Sequence, residues 1–300
     1  MLPSYLEKLT IKDLRERADA LLQLLSECRI CPNECNVNRA DGEKGTYCHS
    51  ANEVIVSSFA PHFGEEPPLV GFSGSGTIFF TNCNLSCVFC QNYDISQLGH
   101  GSTVSIEQLS EFMITLQNRG CHNINLVSPT HFVPQIISAL VIAVEKGLEI
   151  PIVYKCGGYE SVETLKLLED IVDIYMPDIK YSNNETASRL SGIKNYWDVV
   201  QSALKEMHRQ VGDLHINRRG IAKRGLLIRH LVLPNDLAGS EKVIDFIADE
   251  ISKDTYINIM DQYYPAYKVN QHNELNRRIT NEEYERVIGY AKKKGLTKGF

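Results

Sequence analysis

The sequence predicts an α/β chain whose parallel strands, with helices packed outside them, curl into a partial (β/α)6 barrel. Three observations predict it. Short apolar, β-branched runs alternate with helix-length amphipathic segments six times from residue 76 to the C-terminus, and such alternation sets strands side by side and parallel. With 300 residues, 43% apolar and only 23% charged, the chain can fill a large core. Reactive side chains recur just beyond the strands' C-terminal ends, where barrel enzymes carry their sites. We therefore divide the chain into residues 1–70, an N-terminal helix with a four-cysteine segment, and residues 71–300, the barrel with a C-terminal helix.

Taken in order, residues 10–27 form an amphipathic helix, with Leu14, Ala18, Leu21, Leu22 and Leu25 at helical spacing. Residues 52–72 read as loop around a short strand at 54–56. Within them His62, Glu65 and Glu66 sit in a Pro-rich acidic stretch expected to be a solvated connection over the barrel end. The first barrel strand, 77–81, follows the turn-prone glycines of 71–76. Ser105 and Gln108 make a capping box that opens a helix to about residue 118. A strand at 123–127 precedes a helix at 133–146, and a strand at 150–154 precedes a helix capped by Ser161. The fourth strand is 172–176, the fifth 226–233 and the sixth 256–260. Helices at 196–211 and 240–251 flank the fifth strand, and Thr280 with Glu283 caps the last helix.

Composition narrows the partners and the compartment. The net charge of −6, with no basic run longer than Lys292-Lys293-Lys294, argues against a nucleic-acid partner. The most apolar stretch, 132–144, contains Pro134 and Gln135 and is too short for a bilayer, so no membrane partner is expected. Glu7, Lys8, Lys12 and Asp13 interrupt any signal-like start, and nine cysteines without an export signal point to metal ligands in a reducing cytoplasm.

Seven of those cysteines fall into two groups. Cys28, Cys31, Cys35 and Cys48, with Pro32 after the second and Gly42 and Gly45 before the last, can close around zinc or a cubane iron–sulfur cluster. A closed four-thiolate site of this kind is structural or relays electrons. Cys83, Cys87 and Cys90 lie on a loop leaving the first barrel strand. Three thiolates on one soft metal centre leave a coordination position open for chemistry.

The Cys83-x3-Cys87-x2-Cys90 loop, the aromatic Phe89 before its last cysteine and the strand leading into it resemble the radical S-adenosylmethionine superfamily. The resemblance implies that these cysteines hold a [4Fe–4S] cluster whose fourth iron binds S-adenosylmethionine. It also implies a flavodoxin- or ferredoxin-type electron donor and a 5′-deoxyadenosyl radical as oxidant. Ser128-Pro129-Thr130-His131 stands where the superfamily has a Gly-Gly-Glu motif that binds the methionine amine, so the hydroxyls of Ser128 and Thr130 are expected to take that role. His131 reads either as a proton donor or as a helix-start residue. The Asp178-Ile179-Lys180 ending is similar to that of glycyl-radical-enzyme activases, in which two aspartates build a cation site near the cofactor carboxylate. Here the third strand ends in Lys155, whose ammonium is expected to replace that cation and pair with Asp178 and the cofactor. Arg229, in an apolar strand, matches an arginine that contacts the cofactor in that branch. Residues 260–265 are suited to lining its pocket, and Cys121 and Cys156, near strand ends, read as buried structural thiols or as extra relays.

The resemblance covers residues 71–268 and is nearest to the pyruvate formate-lyase activating-enzyme-like branch, in particular the PflX-like subgroup, which the N-terminal cysteines, 61–76, 207–212 and 229–234 also resemble. It implies an enzyme that takes hydrogen from a protein or peptide, a glycine Cα included. Two other readings stay open at this stage. One is modification of a small molecule or an RNA base, the acidic balance weighing against RNA. The other is a noncatalytic iron–sulfur or zinc protein.

Overall fold

The structure, a computed structural model, describes residues 2–300. Helix α1 (Ile11–Gln23) opens with a capping box between Thr10 and Asp13 and buries Leu14, Ala18 and Leu21, the stripe its periodicity predicts. Strand β1 (Val54–His62) runs well past the short strand read from the sequence and carries Pro61 and His62. It pairs antiparallel with β2 (Ser75–Phe80) across a bulge between Val56 and Ser58. Its other edge takes β3 (Ser102–Val104). Residues 54–62 are thus hydrogen-bonded into the barrel's own sheet. The Pro-rich residues after them hid this, because a proline usually ends a strand pattern.

The repeating units follow. Helix α2 (Ile106–Asn118) starts at the Ser105–Gln108 capping box. Strand β4 (Ile124–Val127) is buried throughout, as a strand covered on both faces must be. Helix α3 (Val133–Glu145) packs against α1 and α2. Strand β5 (Ile152–Cys156) and helix α4 (Val162–Leu167), capped by Ser161, lead to β6 (Ile174–Ile179). Helix α5 (Asn184–Ser191), absent from the sequence reading, is capped by the Asn183 side chain and closed by Gly192 in the left-handed conformation. Helix α6 (Tyr196–Val211) falls where expected. A two-residue strand, β7 (His215–Ile216), makes a hairpin with β8 (Ala222–Leu231), which starts earlier than its apolar run because Lys223 and Arg224 break the pattern. Helix α7 (Ser240–Phe246) continues into a π-helical turn at Ile247–Ile251, and β9 (Tyr256–Met260) and the capped helix α8 (Asn281–Lys293) complete the chain.

Strands β2, β4, β5, β6, β8 and β9 lie parallel and adjacent in that order, and the antiparallel β1 and β3 extend the sheet beyond β2. This is the partial barrel, six parallel strands in sequence order. Two apolar clusters hold it. The larger fills the layer between sheet and helices. The smaller, Leu69 with Val153, Ile174, Met176, Ala222 and Leu227, plugs the inside. Side chains alternate along a strand, so residues two beyond the plug share its inward face: Lys155 follows Val153, Asp178 follows Met176 and Arg229 follows Leu227. Strands β5 and β6 run two or three residues past the apolar runs that announce them, since their last inward positions carry charge at the barrel mouth.

Candidate functional site

Strand register assembles the charged group. Lys155 is level with Val127 and Met176, and Asp178 is level with Arg229, which is level with Asn258 on the next strand. Lys180 Nζ is 2.9 Å from Asp178 Oδ2, and Arg229 Nε is 3.1 Å from Asp178 Oδ1. These ion pairs outweigh burial, which alone would raise it, and Lys180 and Arg229 hold the Asp178 carboxyl down at about 2. Burial works against the Lys180 charge as well, but Asp178 and then Cys87 raise its pKa.

Glu65 and Glu66, expected in a solvated loop, are instead buried inside the barrel mouth with side chains 2% and 3% exposed. Lys155 Nζ donates to both oxygens of Glu65, at 2.7 and 2.6 Å, so Lys155 pairs with Glu65 and not with Asp178 as the sequence suggested. Burial and then Arg229 lower the Lys155 pKa, while Glu65 opposes the shift. Arg229 Nη1 lies 3.4 Å from both Glu65 and Glu66, and Asn258 donates to Glu66 at 2.8 Å. Three cations face three carboxylates, and the wall closes electrically neutral. A Pro-rich acidic loop gave no hint of this, because only the fold brings residue 65 to residue 155.

Above this wall a cavity of about 1220 Å³, counting its open mouth, is lined by Lys155, Asp178, Lys180 and Arg229, and by all three loop cysteines. The loop is fixed on several sides. Ser86 and Val88 donate backbone hydrogen bonds to Ser191 and Leu190, at the end of α5. Phe89 packs edge-on against Tyr181 and Tyr263, which explains the aromatic residue before the last cysteine. Cys87 Sγ accepts from Ser191 Oγ at 2.9 Å, and Cys90 Sγ lies 3.0 Å from Ser96 Oγ. Burial pushes the Cys83 thiol up to about 12, and the neighbouring Cys87 and Cys90 add to the shift.

The second strand end divides. Ser128 lines the cavity in a left-handed conformation, φ 57°, its N–H donating to Lys155 O at 2.9 Å. Thr130 turns away, and its hydroxyl donates to Glu160 at 2.7 Å in a buried cluster where Tyr154 also donates to Glu160. The expected cofactor role is thereby moved off Thr130. Burial lifts the Glu160 carboxyl to about 7, against the pull of those hydroxyls. His131 is fully buried on Thr81 O, at 2.8 Å, and burial and then Arg39 depress it to about 3, so it packs as a neutral ring. Cys156 reaches the cavity, whereas Cys121 lies before β4, at the opposite barrel end. Gln262 lines the cavity, while Tyr263 is buried and donates to Leu275 O.

The N-terminal cysteines sit beside the same loop. Cys28, Cys31 and Cys48 are buried and Cys35 half-buried. Burial pushes the Cys48 thiol up, Arg39 opposes it, and Cys28 and Cys35 are close enough to add. Asn33 Nδ2 donates to Asn84 O at 3.0 Å, and Asn82 Nδ2 donates to Ser50 Oγ at 2.9 Å. Among the described residues, no three His, Cys, Asp or Glu side chains converge tightly enough for a single metal ion. A cubane makes no such demand, since each thiolate takes its own iron.

The family model described as the radical SAM superfamily matches residues 77–217, from the strand before the cysteine loop to the β7 hairpin. The uncharacterized protein MJ0674 of Methanocaldococcus jannaschii is 35% identical over 282 residues, covering 91% of this chain and 76% of its own. The chain belongs to the radical SAM superfamily. A second protein of that organism, the uncharacterized MJ0808, is 25% identical over 81% of this chain and 72% of its own. Two solved structures align with TM-scores of 0.51 at 13% identity. One is the [FeFe]-hydrogenase maturase HydG, over 98% of this chain and 64% of that one. The other is Streptococcus suis SuiB bound to precursor peptide SuiA, over 73% and 46%. This chain spans less than two thirds of either, and the likeness concerns the fold.

Radical SAM membership brings a [4Fe–4S] cluster and S-adenosylmethionine as cofactors, and the cavity fits them. Three thiols face it from one loop, and Asp178 Oδ1 and Arg229 Nε are buried at its wall without an aligned hydrogen-bond partner. Among the described residues, no helix is long and apolar enough to cross a membrane.

Proposed function

We propose that this radical SAM enzyme abstracts hydrogen from a protein or peptide substrate, with a glycine Cα as one target, in the manner of a glycyl-radical-enzyme activase. The observation that carries the reading is one open cavity shared by the three-cysteine loop and the Lys155, Asp178, Lys180 and Arg229 wall. Cys83, Cys87 and Cys90 would hold the cluster. When bound, the cluster and S-adenosylmethionine supply a primary-carbon radical able to take an unactivated hydrogen atom.

The chain's residues position and shield. Asp178 stays ionised at any physiological pH, and its Oδ1, ion-paired with Arg229 but without an aligned hydrogen-bond donor, is free to accept from the cofactor's ammonium. Ser128, at the strand end where the superfamily motif would place a carboxylate contact, adds a hydroxyl. Arg229 points Nε at the same space, and Glu65 and Glu66 hold it from behind. Lys180, between Asp178 and Cys87, offsets thiolate charge. The open mouth leaves room for a substrate beyond the cofactor, and SuiB, of like fold, binds a precursor peptide. The electron is expected from a flavodoxin- or ferredoxin-type donor.

The test is anaerobic reconstitution of the wild type and of a Cys83→Ala, Cys87→Ala, Cys90→Ala variant, followed by dithionite and S-adenosylmethionine. The wild type should form 5′-deoxyadenosine and the variant none. Candidate peptides deuterated at glycine Cα should pass deuterium into that product. An iron-loaded wild type that forms none leaves the noncatalytic reading in its place.

A further inference from the structure

Arg39 is the largest fully buried side chain, at 1% exposure. Its Nε and Nη2 donate to a single carbonyl, Ala51 O, at 3.3 and 2.7 Å, and its Nη1 faces Cys28 Sγ at 3.8 Å. Among the described residues, no carboxylate pairs with it. A buried guanidinium without an anion costs several kcal/mol, so a fold that keeps one supplies a negative charge by other means. The Cys28 and Cys48 thiols stand beside it, and so does the neutral His131, which carries no charge to offer. As neutral thiols the cysteines supply none, whereas a four-thiolate metal centre keeps a net negative charge.

We propose that Cys28, Cys31, Cys35 and Cys48 hold a second [4Fe–4S] cluster, with Arg39 as its buried counter-charge. Two features shape the site for it. Gly45 leaves space that a Cβ would take, 2.6 Å from the Cys48 sulfur. The second is its contact with the three-cysteine loop, where Asn33, between Cys31 and Cys35, donates to Asn84 O at 3.0 Å. A cluster so placed can pass electrons to that loop, a role that zinc, without redox chemistry, does not serve. The proposal does not rest on the function above, because the second site is measurable without the first.

The experiment is iron, acid-labile sulfide and zinc analysis, with Mössbauer spectroscopy, after anaerobic reconstitution of the Cys83→Ala, Cys87→Ala, Cys90→Ala variant. About four irons and about four sulfides per chain are expected. One zinc without sulfide, or no metal at all, overturns the proposal. Should that variant misfold, the intact chain decides: about eight irons support the second cluster and about four overturn it. In the intact chain Arg39→Lys should keep the full iron content, whereas Arg39→Leu should lose part of it and shift the remaining second cluster to a more negative midpoint potential. Unchanged iron and potential in Arg39→Leu removes Arg39 from the site. Failed 5′-deoxyadenosine formation with a filled second site would count against the enzymatic reading alone.

Discussion

The Lys155 ammonium, at the inward end of β5, donates to both oxygens of Glu65 on the loop after β1, at 2.7 and 2.6 Å. The pair closes the barrel mouth from below and leaves Arg229 braced between Glu65, Glu66 and Asp178. Removing one member of a buried pair strands the other, at a cost of about 3 kcal/mol. Glu65→Gln should lower unfolding stability at pH 7 by about that much, and Lys155→Met similarly. The double variant should recover most of the loss, since neither charge is then left alone. Urea titrations of all four proteins decide it, and simple additivity would show that the two do not act as a pair.

Glu160 makes stability fall with rising pH. Its carboxyl titrates near 4.5 when unfolded and near 7 when buried with Thr130 and Tyr154. A raised pKa means that the stabilising neutral form is fully present below 4.5 and is lost as pH climbs through 7. The loss integrates to about 3 kcal/mol. Glu160→Gln keeps one carbonyl acceptor, turns the other contact into an N–H donor as the protonated acid does with its O–H, and cannot ionise. Its urea midpoint should therefore change little between pH 5 and 8, while that of the wild type drops. Parallel profiles for the two proteins would place the titration elsewhere.

Much of this arrangement is legible in the sequence because it is local. The Ser105 and Thr280 capping boxes, the six parallel strands and the two cysteine groups all announce themselves within a few residues. What escapes is long-range or masked by charge. Glu65 meets Lys155 across 90 residues, and nothing near residue 65 encodes that meeting. Lys155 and Asp178 sit on strands whose apolar runs stop short of them, so the pattern ends the strand where the site begins. Thr130 and Ser128 are two residues apart and indistinguishable as hydroxyls in sequence. Only the left-handed turn at Ser128 sends one into the cavity and the other to Glu160. Helix α5 was signalled by Asn183 and Gly192, a cap and a stop around too short an apolar stripe.

That left-handed turn sets function against stability at Ser128. A residue with a Cβ at φ 57° carries strain of about 1 kcal/mol that glycine avoids. Ser128→Gly should raise unfolding stability by about that amount and abolish one cavity hydroxyl. If the hydroxyl binds S-adenosylmethionine, affinity should fall about fivefold, the equivalent of one ordinary hydrogen bond. Calorimetric titration with the cofactor, beside a thermal melt, reads both effects. Raised stability with unchanged affinity would leave Ser128 as a backbone feature only.

The last prediction follows from where the two cysteine groups meet. Asn33 lies between Cys31 and Cys35, and its side chain donates to the carbonyl of Asn84, the residue after Cys83. Asn82, just before Cys83, holds Ser50, two residues after Cys48. Each group is thus tied to the other by a direct hydrogen bond, with no intervening layer of the fold. Two reduced clusters so placed are neighbouring paramagnets and should relax one another. The low-temperature electron paramagnetic resonance spectrum of dithionite-reduced wild type should be broader and harder to saturate than the sum of two single-centre variants. One variant lacks Cys83, Cys87 and Cys90, and the other lacks Cys28, Cys31, Cys35 and Cys48. A wild-type spectrum equal to that sum would mean that the centres do not sense each other. In that case the Asn33 and Asn82 contacts fix the segment without serving as a route for electrons.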